Sequence, residues 1–407
     1  MQETKPTQPT PLLPLPLPSP QVELSINLSS TIIPNNDQGI LVIIKTIIFS
    51  IIENFHAGYF RISLSLCWQT LLWKTLNEPP ENAHAYRRML GIMPSTAFLL
   101  LWSLSLIILV TLSLLYILRC VLLTNMVKDE FVNHIGVNYL FAPWISWLLL
   151  LQSSPFFAPK TIWYLFLWWV FVVPIFILDV KIYGQWFTKG KRFLSTVANP
   201  AIQLSVIGNF VGARGAAQMG WKESAMIMFS LGIVHYLVLF VTLYQRFSGN
   251  SCMPVMLRPV LFLFIAAPSM ASLAWDSISG TFDCSSKMLF YLSLFLFTSL
   301  VLRPYLFKKS MKKFNVVWWG YSYPLTVLAL ASTEYAQEMK SSIAHLLMLI
   351  LSGLSVLVSF VLMIYTALNT NILLPQEHDL NLNFMTPRPV IVTTKTSDAC
   401  IDLMNLS

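Results

Sequence analysis

Two arginines lie inside stretches that are otherwise apolar enough to cross a bilayer: Arg61 in FHAGYFRISLSLCWQTLLW and Arg214 in NPAIQLSVIGNFVGARGAAQMGW. An arginine facing lipid is costly, so each must meet water, another polar group or the headgroups. The chemistry open to such residues is attraction of anions. Sparse positive charge, with polar lining from Ser63, Ser65, Gln203, Ser205 and Asn209, can draw an anion in without holding it too firmly to leave. Arg61 is only about one and a half turns into its span, where snorkelling to the headgroups explains it as well as a polar lumen does. Arg214, nearer the other end of its helix, is left open between structural pairing and an anion-attracting vestibule.

Aromatic side chains near small or kinking residues are the second group. Gly208, Gly212 and Gly215 share one helical face at i, i+4, i+7 spacing, which lets another backbone approach. Phe210 lies roughly opposite and could point toward a central path or simply fill an interface. In VVWWGYSYPLTVLALASTEYA, Tyr323 precedes Pro324, whose missing donor and ring favour a kink. A ring beside that kink could obstruct a channel, or pack between helices. Gly58, Pro143 and Pro268 are further positions for helix kinks or close packing.

Enzymatic and metal-binding patterns are missing from the sequence. It holds no HExxH, P-loop or GxSxG motif, and its five cysteines make no CxxC pair. His56 and His235 lack a second ligand at metal-binding spacing, so a structural hydrogen bond is the expected role of each. Asp179, Asp276 and Glu334 read as marking span ends, and no row of buried carboxylates suggests a cation pump. No catalysis and no cofactor are expected.

These residues must be positioned by membrane helices. Of 407 residues, 56% are apolar and 11% charged, less than half the charge content of about 25% usual in soluble domains. Ten spans are expected, at about 55–75, 95–118, 136–154, 161–180, 199–219, 224–245, 258–276, 286–305, 316–336 and 344–368. They lack the strict alternation of barrel strands, so the fold class is an all-α polytopic membrane protein. With the N-terminus inside, interior loops carry thirteen basic residues and exterior loops seven, Arg87 and Arg88 running against the trend; both termini are therefore expected in the cytoplasm. The net charge of +8 is spread over these loops and gives no nucleic-acid patch. Residues 1–52 read as a proline-rich tail whose end extends the first helix or lies at the interface, 53–370 as the membrane domain, and 371–407 as a second tail. Ten spans also make five helical hairpins, with kinking and small residues concentrated in the odd-numbered members, as expected of inner helices surrounded by lipid-facing outer ones.

FHAGYFRISLSLC, LSVIGNFVGARGAAQMGW, LRPVLFLFIAAPSMASLAW and WWGYSYPLTVLALA resemble the plant slow-type anion channels, particularly the shorter homologues of the guard-cell channel. More distantly, the chain is similar to the bacterial tellurite-resistance/dicarboxylate transporter family. The resemblance implies ten transmembrane helices in five quasi-repeated hairpins, the inner five lining a pore in each of three subunits, and passage of chloride and nitrate across the plasma membrane. It also implies that Tyr323 occupies the place of a phenylalanine that closes the pore, with Phe210 a second pore-facing aromatic. Arg61 and Ser65 stand where some guard-cell members have glycines. A nonconducting subunit that joins and modulates a related channel, a proton-coupled organic-anion transporter, and kinase regulation through the tails stay open beside direct conduction.

Overall fold

The computed structural model describes Phe49 and residues 51–77, 95–188, 198–248, 255–308, 310–312 and 314–369. The tails up to 47 and from 370, the Arg87–Arg88 pair, and Lys189, Lys191 and Arg192 lie outside the described residues. The described secondary structure is helical throughout: α1 Phe60–Asn77, α2 Ser95–Leu122, α3 Thr124–Val132, α4 Phe141–Gln152, α5 Ile162–Thr188, α6 Gln203–Gln218, α7 Lys222–Ser248, α8 Leu263–Ser279, α9 Cys284–Val301, α10 Trp319–Met339 and α11 Ser342–Leu368.

Five of these helices, α1, α4, α6, α8 and α10, form a closed ring, each touching the next and α10 returning to α1. The other long helices, α2, α5, α7, α9 and α11, each pack outside the inner helix that precedes them. Exposure follows the same division. Leu100, Ile107, Ile162, Trp163, Ile227, Phe295 and Ile343 stand out from the outer helices, whereas Met339 at the end of α10 is the exposed large apolar residue of the inner ones. A surface this apolar is the surface lipid requires.

Among the described residues, six helices are by themselves long and apolar enough to cross a membrane, and α3 with the segment Gly136–Gln152 makes a seventh candidate, bent by 101°. Helices α1, α6 and α10 fall short of that criterion. Shielded by the outer helices, they can carry Arg61, Gln69, Gln203, Asn209 and Arg214 without facing hydrocarbon.

Each inner helix is entered through a tight lead-in turn: Ala57–Tyr59, Gly136–Tyr139, Pro200–Ile202, Val255–Phe262 and Val316–Trp318. Four of them share a device in which a side chain accepts the backbone N–H two residues on. His56 takes Gly58 N–H at 3.0 Å, Asn133 takes Ile135 at 2.9 Å, Asn199 takes Ala201 at 3.0 Å and Asn315 takes Val317 at 3.3 Å. This satisfies a donor with no partner inside the helix and fixes the turn. The turns touch one another in the same cyclic order as the helices they feed, so the inner helices all begin at one end of the bundle and run in parallel.

Helix α3 is a departure from the sequence reading, which took the region as loop. Its apolar residues are too few to signal a helix, yet it turns across the end of the bundle, where Glu130 Oε1 accepts the Ala57 N–H at 2.8 Å. Burial raises the Glu130 pKa, opposed by that backbone bond and by the charge of Arg119.

Candidate functional site

Arg61 is the second residue of α1 and therefore belongs to the end where the inner helices begin. It is 6% exposed, and its guanidinium carbon sits 4.0 Å from the centroid of the Tyr139 ring in the neighbouring lead-in turn. Stacking on an aromatic face stabilises a cation without neutralising it. Arg61 Nε is buried without a hydrogen-bond partner. Tyr323, 2% exposed on α10, lies within electrostatic reach of both Arg61 and Tyr139. The cation of α1 and the ring of the turn into α4 are thus in contact, with the Tyr323 hydroxyl of α10 within reach of their charges. Pro324, the next residue, lies inside α10 and removes a backbone donor where the Tyr323 ring is presented.

Arg214 lies near the other end of its inner helix, 7% exposed, with Nε and Nη1 buried and unpartnered. Its charge acts on Asp276 of α8, but the two make no ion pair within 4 Å among the described residues. Two arginines without carboxylate partners therefore stand toward opposite ends of the inner ring. Gln203, at the start of α6, is fully buried with both amide atoms unpartnered.

Other sequence-selected residues are taken up between helices. Ser65 donates to Ser322 at 2.6 Å across the α1–α10 seam. Gln69 continues that seam: its Nε2 lies 2.9 Å from Thr326 Oγ1, 2.7 Å from both Ser355 Oγ and Ser359 Oγ, and 3.1 Å from the Ser355 carbonyl. Ser63 bonds the Phe60 carbonyl at 2.9 Å, and Ser205 bonds Ile202 O and the Tyr183 hydroxyl. Asn209 turns outward, donating to Asp179 Oδ2 at 2.6 Å and to Ser205 O at 3.0 Å. Asp179 is not at a span end, since α5 continues past it and buries it.

Phe210 is fully buried against α7, its ring 5.4 Å from that of Phe229 and seated on Gly232, where a Cβ would come within 2.7 Å of Phe210 Cε1. The glycine stripe admits the inner helix α4 together with the outer helices α5 and α7: a Cβ at Gly208 would meet Ile145 and Ile175, at Gly212 Met228 and Val172, and at Gly215 Trp168 and Gln152. Trp168 Nε1 donates to the Gly212 carbonyl at 3.1 Å. At Gly58 a Cβ would collide with the His56 imidazole at 2.5 Å, so glycine there permits the capping bond. Pro143 occupies the first turn of α4, where no intrahelical donor is lost, and Pro268 lies inside α8.

Tyr139, Gln69 and the Asp179–Asn209 bond were not singled out from the sequence. A glutamine in a span is a usable signal, because it demands a polar partner. Tyr139 gives no such signal; its position over Arg61 arises from which turns are neighbours.

Comparison with known proteins followed from this geometry. Residues 54–367 match the protein family described as SLAC1, voltage-dependent anion channel. The chain is 58% identical to S-type anion channel SLAH1 of Arabidopsis thaliana, over 82% of this chain and 86% of that protein. It is 56% identical to S-type anion channel SLAH4 of the same plant, over 82% and 89%. Identity to guard cell S-type anion channel SLAC1 is 42%, covering 77% of this chain and 56% of that protein.

Proposed function

The chain belongs to the plant slow-type anion channel family, and we propose that it passes chloride and nitrate passively through the ring of inner helices in each protomer. All ten long helices cross the bilayer in this reading, with 53–370 as the channel domain, both terminal tails in the cytoplasm and the protein in the plasma membrane. The observation that carries it is the pair of buried arginines without carboxylate partners, one toward each end of a closed five-helix ring. Removing such charges from bulk water is tolerable when a hydrated path supplies water or anions, and their small number lets an anion leave again.

Tyr323 is the gate. It is buried among inner helices beside Pro324, where a change at the kink would swing the ring. Reconstituted Tyr323→Ala is expected to conduct anions under conditions in which the parent protein is closed, with reversal following the chloride or nitrate gradient. Unchanged closed-state conductance, with normal expression and assembly, defeats the gate assignment. Three protomers associate, an expectation resting on the family resemblance alone. A nonconducting subunit that modulates a related channel is the second reading; it is favoured by Arg61, a buried cation stacked on Tyr139 at the end of the ring where the inner helices begin.

A further inference from the structure

Arg61 is unusual among the cations at its end of the bundle. Arg119 is answered in part: Nη1 bonds the Glu53 carbonyl at 3.2 Å and its charge acts on Glu130, whose Oε1 is committed to the Ala57 N–H, although its Nε is buried without a partner. His56, within electrostatic reach of Arg61, uses Nδ1 to accept the Gly58 N–H. Among the described residues no carboxylate makes an ion pair with Arg61, the second Glu130 oxygen being buried and unpartnered in its own right. Its face is covered by Tyr139, and a guanidinium stacked this way has its donors directed outward in its own plane. Nε is buried and unpartnered. The Tyr139 hydroxyl is also buried without a partner, adding an O–H donor beside the cation. Donors and a full positive charge, held by stacking and lacking acceptors, are the makings of an anion-binding site.

We propose that Arg61, stacked on Tyr139, is a binding station for one small monovalent anion at the end of the ring where the inner helices begin. The single uncompensated charge sets the class: one anion of unit charge neutralises it. The station deepens the permeation reading above by assigning the place where the anion pauses, although binding does not itself require flow. An anion seated at Arg61 cancels a charge that reaches the Tyr323 hydroxyl, so occupancy and gate position are coupled electrostatically. Binding that favours one position of Tyr323 shifts its population by the differential affinity.

The test uses the full-length protein in mild detergent, with sodium nitrate as the probe and sodium gluconate as the large-anion control at equal ionic strength. The thermal unfolding midpoint of the parent protein is expected to rise with the logarithm of nitrate concentration once the site begins to fill. Arg61→Gln should be flat in nitrate and should unfold at a higher temperature than the parent in gluconate, because an unneutralised buried charge has been removed. Tyr139→Leu, which removes the stacking platform but keeps the charge, should need several-fold more nitrate for the same rise. A parent protein indifferent to nitrate, or Arg61→Gln responding as the parent does, overturns the proposal. If Arg61→Gln fails to fold, parent and Tyr139→Leu with equal nitrate dependence overturn it instead.

Nitrate flux from liposomes separates this proposal from the permeation reading. Absent flux with an intact Arg61-dependent shift leaves the station standing and removes the pore. Normal flux with no Arg61-dependent shift does the reverse.

Discussion

Replacing Gln69 tests the place where the ring closes. No loop joins α1 to α10, which come from opposite ends of the membrane domain, so their seam depends on side chains. Gln69 Nε2 has four acceptors within 3.1 Å, on α10 and α11, but an amide has two hydrogens, so two bonds at a time is the ceiling. Interhelical bonds in membranes average about 0.6 kcal/mol and reach about 1.7 kcal/mol. Gln69→Leu, which keeps most of the volume, should therefore cost about 1–3 kcal/mol. The loss is moderated because Ser355 Oγ still donates to Thr326 Oγ1 at 2.8 Å and Ser322 stays 2.6 Å from Ser359. Gln69→Ala adds a cavity and should cost roughly 1–3 kcal/mol more. Reversible unfolding in detergent or bicelles measures both. A Leu variant at least as stable as the parent would refute the reasoning, because the hydroxyl cluster would then need no amide. A Leu variant no more stable than the Ala variant would refute the separation of bonding from packing.

Glu130→Gln should remove a pH dependence while keeping the acceptor for the Ala57 N–H. Since burial raises the Glu130 pKa, its contribution to stability is full below the unfolded carboxyl value and declines as pH rises through the raised folded value. The variant should match the parent near pH 4 and exceed it increasingly toward neutrality, as about 4.3 is the ordinary glutamate value; thermal unfolding across that range checks this, and a parent gaining on the variant with rising pH contradicts it. Gly232→Ala should destabilise by about 1–3 kcal/mol through overpacking against the rigid Phe210 ring, and Phe210→Leu should relieve most of that cost. An equal penalty in both backgrounds, measured by the same unfolding assay, would mean that the ring is not what the methyl group meets.

Hydrophobic runs made the helices legible, because about twenty apolar residues are needed to cross hydrocarbon and little else produces them. The run read as 316–336 becomes a lead-in turn at Val316–Trp318 and a helix at Trp319–Met339, a shift at an end where backbone turns tighten before the helix is established. The division into inner and outer helices was also readable, since Pro324, Pro268 and the Gly208–Gly215 stripe sit on helices that must admit close neighbours. Facing directions were harder. Spacing put Phe210 opposite the glycines, but helical phase gives no neighbour, and Gly232 on the next helix receives the ring. Asp179 looked like a boundary because a carboxylate in an apolar run is rare, yet a partner thirty residues away in the next inner helix, Asn209, holds it inside. Arg61 was recognisable as a problem from sequence; its solution on Tyr139 depends on the cyclic order of the lead-in turns, which local pattern does not encode.

Parallel inner helices make the two mouths unlike. Backbone dipoles aligned in one sense leave unsatisfied N–H groups, and partial positive charge, at the mouth ringed by lead-in turns, and carbonyl groups with partial negative charge at the other. The charges of Asp283 and Glu338 act on Asp276 toward the carbonyl end, adding to its negative potential. The end where the inner helices begin is therefore electrostatically unlike the end where they finish, where Arg214 stands against the carbonyl groups and carboxylates.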